Sequence, residues 1–303
     1  IRDRLRSRGL GDVYKRQGSY TLAFDFLKPE SIYTIYVLAY DENGLPTGLK
    51  SLTCSTGAVA DDPFTVTTTH VGTTTLKYNV TAKDASVKYC TFATGYDYYQ
   101  RWQLEEGTNG DVIKHFISMW STFASWYGEN WQTMMKYDRR EGTYEGDGYH
   151  LMWDARQVVI TFGMDDDGNL VTPIQVDSIH TNAPTPVDMD IPVTVLSNEW
   201  GDQQIKAAPT TNTPYFITMQ PAAYVDLYKT DAALLRALCY EADNINPTDL
   251  ARTRDEDLRD GLWEFRVRKD VDTDYYIIAV GLDEGAPATR AFKTKITVPG
   301  GSF

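Results

Sequence analysis

Residues 33–56 read YTIYVLAYDENGLPTGLKSLTCST, residues 158–181 read VVITFGMDDDGNLVTPIQVDSIHT, and residues 275–294 read YYIIAVGLDEGAPATRAFKT. Each stretch opens on a β-branched and aromatic run suited to a strand buried on at least one face. Each then meets an Asp/Asn/Gly cluster, at 41–44, 165–169 and 283–285, where the chain turns through conformations those residues tolerate. Each ends in an alternating strand that closes on Thr. One hairpin repeated at spacings of about 120 residues predicts tandem domains rather than a short-period solenoid, and 303 residues allow about two complete ones.

The first copy is preceded by Leu27-Lys28-Pro29-Glu30-Ser31-Ile32 and continues Tyr33-Thr34-Ile35-Tyr36-Val37-Leu38-Ala39. This resembles the E–F corner and F strand of fibronectin type III domains, where a Leu-x-Pro turn leads to a Tyr, alternating apolar residues, an Ala and a Gly turn. The resemblance implies an all-β architecture of tandem fibronectin-III-like β-sandwiches. It also implies that Tyr33 forms a tyrosine corner, with Tyr275 in the same part in the third copy. The second copy departs from the pattern by placing Gln157 at that position.

The upstream halves of the second and third copies also correspond. Residues 64–70, 75–82 and 87–93 read as strands A, B and C of one unit, and 191–196, 204–207 and 214–219 as those of the next. After strand C, Gly95-Tyr96-Asp97-Tyr98-Tyr99 matches Ala222–Tyr228, and both units enter a helical stretch. In the middle unit Val112, Ile113, Phe116, Met119, Trp120, Phe123, Trp126, Tyr127 and Met134 recur at helical spacing, with Asn109 or Asp111 as N-cap and Gly128 ending or kinking the helix. In the last unit Leu234, Leu235 and Leu238 follow a Thr230/Asp231 cap, and a second polar stretch covers 247–262. Fibronectin-like repeats with such helical excursions are similar to modules of surface lipoproteins from gut Bacteroidetes, over roughly residues 60–298.

The expected organisation is then a truncated fibronectin-III-like domain at 18–57 holding strands E–G, a complete one at 58–182 with a helical insertion at about 97–153, and another at 183–303 with an insertion at about 222–262. Residues 1–17 (IRDRLRSRGLGDVYKRQ) carry six basic residues against Asp3 and Asp12, with no apolar core or cleavage site of a targeting peptide. They resemble translated sequencing adaptor and are expected to be a non-native leader. Without them the net charge moves from −13 to −17, since 23 basic residues face 40 acidic ones. So acidic a chain argues against nucleic acid or an anionic membrane as partner. No apolar run approaches the roughly 20 residues of a membrane span.

Cys54, Cys90 and Cys239 are odd in number and far apart, and are expected to be small buried hydrophobes. Five of seven tryptophans fall between 102 and 153. Such an aromatic group serves either as the core joining helix to sandwich or as a platform for sugar rings. Helical phase assigns Trp120 and Trp126 to the buried stripe with Phe116 and Phe123. Trp102, Trp131, Tyr144 and Tyr149 lie outside or beyond it, in Gly-, Glu- and Asp-rich surroundings, and are the candidate ligand-binding residues.

The turn at 165–169 lacks the alternating ligands and distal Glu of a calcium loop and is read as a turn; no metal and no cofactor is expected. The acidic and basic residues at 252–260 read as a solvated segment with local ion pairs. The four histidines stand alone, and GxSxG, P-loop and GxGxxG patterns are missing. Glu105, Glu106, Glu141 and Glu145 make a glycosidase-like pair only if folding sets two of them at the right distance. The expected function is therefore not enzymatic. It is a secreted or outer-membrane surface module binding glycan or protein, against two alternatives: spacer repeats of a larger surface protein, or part of a secreted hydrolase.

Overall fold

The computed structural model describes residues 31–41, 44–57, 62–105, 111–241, 247–254 and 261–301. The expected leader, the Leu27–Pro29 turn, Glu106, Asn109 and the acidic stretch at 255–260 lie outside these residues. The described chain falls into two compact units, one of residues up to 61 with 97–135, the other of residues 62–96 with 136–303.

In the first unit, β1 (Ile32–Tyr40) and β2 (Pro46–Ser55) form an antiparallel hairpin with Tyr33 opposite Cys54. Its turn is tied at Asp41, whose carbonyl accepts from Gly44 N–H at 3.0 Å and whose Oδ1 accepts from Leu45 N–H at 2.8 Å. Among the described residues the hairpin has no third strand, and Ile32, Tyr36, Val37, Leu49 and Leu52 are exposed. Cys54 is exposed with them, which corrects the expectation that it is buried: no described layer covers β2.

The same unit holds most of the helical segment: α1 (Tyr96–Gln103), α2 (Val112–Tyr127) and α3 (Trp131–Asp138). Asp111 is the N-cap of α2, its Oδ1 accepting from Ile113 N–H at 3.0 Å. Gly128 ends the helix in the left-handed region at φ 69°, where its N–H reaches Ala124 O. Removing the cap acceptor in Asp111→Ala is expected to destabilise α2 by about 1 kcal/mol, read as faster amide exchange in its first turn. Unchanged protection there would contradict the cap.

The second unit contains two sandwiches of one topology. β3 (Phe64–Val71), β4 (Leu76–Ala82) and β6 (Thr143–Gly148) form one sheet in the order β3-β4-β6; β5 (Tyr89–Gly95), β7 (Arg156–Gly163) and β8 (Gln175–His180) form the other in the order β5-β7-β8. The core between them gathers Phe64, Leu76, Tyr78 and Val80 from the first sheet and Tyr89 and Val159 from the second. Tyr89 is fully buried and satisfies its hydroxyl by donating to Val80 O and Gly142 O, both at 2.9 Å. The orders are A-B-E against C-F-G of an Ig-type sandwich, with helices where strand D would run. The insertion proper thus ends at Asp138 rather than near 153, because residues 143–148 are strand E.

The next sandwich repeats this. β9 (Val193–Glu199), β10 (Asp202–Ala207) and β12 (Leu262–Phe265) lie in the order β12-β10-β9, opposite β11 (Tyr215–Pro221), β13 (Thr273–Asp283) and β15 (Phe292–Val298), with the short β14 (Ala286–Pro287) on β13. Between strands C and E run α4 (Ala222–Val225), α5 (Asp231–Cys239) and α6 (Pro247–Leu250); Thr230 caps α5 by accepting from Ala233 N–H at 3.2 Å. Strand alternation then divides two cores. Tyr215, Ile217, Tyr275, Ile277 and Ala279 face the other sheet, whereas Phe216, Ile278, Val280 and Leu282 face Val225, Leu234, Leu235 and Leu238. Among the described residues the chain thus holds two β-sandwiches of the same strand order, each carrying a helical insertion after strand C.

Candidate functional site

The sequence-derived aromatic candidates separate once placed. Trp102 is half-buried and stacks on His115, ring centroids 4.2 Å apart and 9° from parallel, with its edge to Phe116; His115 in turn pairs with Glu105 at 2.7 Å. Trp131 is half-buried and stacks on the fully buried Trp120 at 6.2 Å. Tyr144 sits on β6 against the sandwich core with the Arg140 guanidinium 4.7 Å above its ring. Tyr149 alone of the four is largely exposed, at 67 %. It precedes His150, held at φ 53° and stacked on Tyr240 of the next sandwich.

The helical phase expectation fails for two rings. Trp126 is 68 % exposed and Phe123 40 %, the pair meeting edge-to-face at 5.2 Å. The buried row is Val112, Phe116, Trp120 and Ala124, spaced by four. Trp126 lies about 80° from Phe116 around the axis at 100° per residue, outside that row.

The remaining sequence candidates are occupied locally. Asp165 accepts from Asn169 N–H at 2.8 Å and from the Asn169 side chain, which holds its carboxyl below the usual range; Asp166 is likewise lowered by its ion pair with Arg139. Glu141 pairs with Lys88 at 2.9 Å. Cys90 and Cys239 are buried, and burial pushes both thiols up to about 12, so they stay neutral hydrophobes. Gln157, standing where a corner Tyr was expected, is fully buried and donates to Met152 O at 2.8 Å and Thr181 Oγ1 at 3.2 Å. Tyr275 is buried in the core of the last sandwich, and Tyr33 is half-buried on β1.

What sequence reading did not find is the joint between the two complete sandwiches. The A–B turn of the first grips the F–G turn of the second. Thr73 Oγ1 donates to Asp283 O at 3.0 Å and Glu284 O at 3.1 Å, Thr74 Oγ1 donates to Glu284 O at 2.6 Å, and Thr73 N–H donates to Glu284 Oε2 at 3.1 Å. Glu284 stands at φ 46°, a left-handed conformation that carries a cost for a residue with a Cβ. The linker is fixed on both sides. Asn182 donates to Val71 O at 2.8 Å, and Thr185 N–H donates to Asp283 Oδ2 at 2.6 Å. The third Asp/Gly turn, read from sequence as a loop tip, is thus an anchor.

Beside this joint lies a cleft of about 540 Å³, lined by Met152 and Trp153 from the loop after β6, by Asp231, Ala233 and Arg236 of α5 and by Arg290. Trp153 also packs against the helix-covered core of the last sandwich. Asp231 pairs with Lys293 at 2.7 Å, and Arg236 pairs with Glu241 at 2.9 Å beside the Tyr240 ring. The cleft has one carboxylate in its lining, so it lacks the facing pair that glycoside hydrolysis uses.

No family model and no curated protein matches the chain. Among solved structures, it is similar to the FN1–FN3 domains of chicken CNTN1, at 11 % identity and a TM-score of 0.26, over 90 % of this chain and 79 % of that one. It is also similar to a segment of two fibronectin type III domains from chicken tenascin, at 8 % identity and a TM-score of 0.25, over 78 % of this chain and 99 % of that one.

Proposed function

We propose that the chain is a non-catalytic segment of a secreted or surface-displayed protein that spaces and orients modules. The observation that supports this best is the joint. Two sandwiches linked only by a flexible peptide would sample many orientations, whereas here hydroxyl, backbone and carboxylate contacts fix one turn upon the other. Among the described residues no helix is long and apolar enough to cross a membrane. An extracellular or outer-membrane position, as in the lipoprotein modules the repeats resemble, fits this role.

The test is a distance measurement across the joint, with spin labels at the exposed positions Ala85 and Asp270 in a Cys54→Ser background. A narrow distribution is expected. It should broaden in Thr73→Val/Thr74→Val, which leaves carbonyls of Asp283 and Glu284 without their donors at about 1–2 kcal/mol each. A broad distribution in the unaltered joint would defeat the proposal.

A second reading, recognition of glycan or surface protein, draws support from exposed aromatic side chains, Tyr149 and the Phe123–Trp126 pair. Trp102, Trp131 and Tyr144 contribute less to it, since each has a face against a neighbouring side chain. A glycan array with the whole chain tests it, with Tyr149→Ala as the variant expected to lose signal; silence across polysaccharides removes the glycan half of the reading.

A further inference from the structure

The cleft beside the joint has a composition that the spacing role does not require. Of the ten residues lining it, Met152, Trp153, Ala232, Ala233, Leu235 and Pro287 are apolar. Its volume, about 540 Å³, is that of a small-molecule pocket, and it sits where such pockets concentrate, at a boundary between domains.

Its charges are unequal in how firmly they are held. Asp231 is tied to Lys293 at 2.7 Å and so presents little uncompensated negative charge. Arg236 is directed by Glu241 at 2.9 Å, its own side chain three-quarters covered. Arg290 differs. Its side chain is 71 % exposed, and its ion pair with the equally exposed Asp190 is loose, at 3.6 Å. A water-screened pair of this kind is worth little, and a ligand carboxylate that meets the planar guanidinium with two parallel hydrogen bonds replaces it at little cost. The Arg290 guanidinium is also stacked 4.5 Å over the Phe292 ring, which limits its swing without using its donors. Trp153 is set in place by the hydrophobic cluster beneath α5, so its ring is ordered before any ligand arrives.

We infer that this cleft binds a rigid apolar carboxylate, an aromatic or alicyclic acid whose body lies along Trp153 and Met152 and whose carboxylate pairs with Arg290. A sugar is the poorer occupant. Most of its hydroxyls would lose water against six apolar residues and gain few partners, and each unpaired one costs free energy. A cation is disfavoured because the carboxylate in the lining is already neutralised. The inference stands apart from the spacing role, which survives if the cleft proves empty of function.

The probe is 2-naphthoate, titrated into the full chain by calorimetry and followed by ligand-observed NMR, beside its neutral isostere 2-naphthamide and the acidic sugar digalacturonate. Naphthoate should bind at least about tenfold more tightly than the amide. Arg290→Gln should bring its affinity down to that of the amide, with the thermal midpoint unchanged because the residue is exposed. Ala233→Phe, at an exposed position on the cleft wall, should block both naphthyl compounds and so tests the location without disturbing the core. Equal affinities for acid and amide, tighter binding of digalacturonate, or full naphthoate binding in Ala233→Phe would each overturn the assignment.

Discussion

Trp120→Ala is expected to destabilise the helical segment by about 3–5 kcal/mol, whereas Trp126→Ala, six residues along the same helix, is expected to stay within about 0.5 kcal/mol. The two side chains are chemically identical and differ only in where α2 turns them. Trp120 is fully buried, 5.9 Å from the Phe116 ring and stacked on Trp131, so truncation removes transfer free energy and leaves a void that its neighbours cannot fill. Trp126 keeps more than two-thirds of its surface in water and touches Phe123 alone among the aromatic rings described. Urea unfolding followed by amide exchange in α2 measures both. Equal losses would mean that the buried row of this helix is misassigned.

The second large effect contrasts the two faces of one sheet. Ile277→Ala removes a side chain fully buried between the sheets of the last sandwich and should cost about 2–5 kcal/mol. Phe216→Ala, on the neighbouring strand but the opposite face, should cost about 3–5 kcal/mol, because Phe216 packs with Leu234, Leu235 and Leu238 of α5. The totals overlap, but the distribution should not. In the Ile277 variant, strand amides of both sheets lose protection together. In the Phe216 variant, the amides of α5 exchange first, at free energies below global unfolding. If α5 retained full protection after Phe216→Ala, the helical insertion would not depend on that face of the sheet.

These contrasts show what the sequence carries by itself. The F–G hairpins are legible because β7 and β13 are apolar on both faces and end in Asp/Gly turns, features of strand burial and turn geometry that need no knowledge of distant neighbours. The Asp111 and Thr230 caps are legible for the same reason. Strand β6, TYEGDG, is not. It offers one inward aromatic, Tyr144, and its Gly146 is required because a Cβ there would collide with the Tyr78 ring on β4, a contact 68 residues away in the chain. Trp126 was misread because an apolar stripe drawn from helical phase is wider than the row of Val112, Phe116, Trp120 and Ala124 that is buried. The joint was invisible for a further reason. It depends on Thr hydroxyls meeting carbonyls exposed by the left-handed turn at Glu284, and neither Thr73-Thr74 nor Asp283-Glu284-Gly285 advertises the other.

The contacts that lock the two sandwiches together are separated by 210 and 211 positions along the chain. During synthesis the receiving turn emerges early and waits while all of the following sandwich but its last strand is made, and its latch arrives only at the end of strand F. Each body can collapse on its own short-range pairings before then, since domains generally fold as units. Alignment therefore comes late in folding, and a ribosome stalled before Glu284 would hold one finished sandwich beside a second that still lacks strand G and the latch.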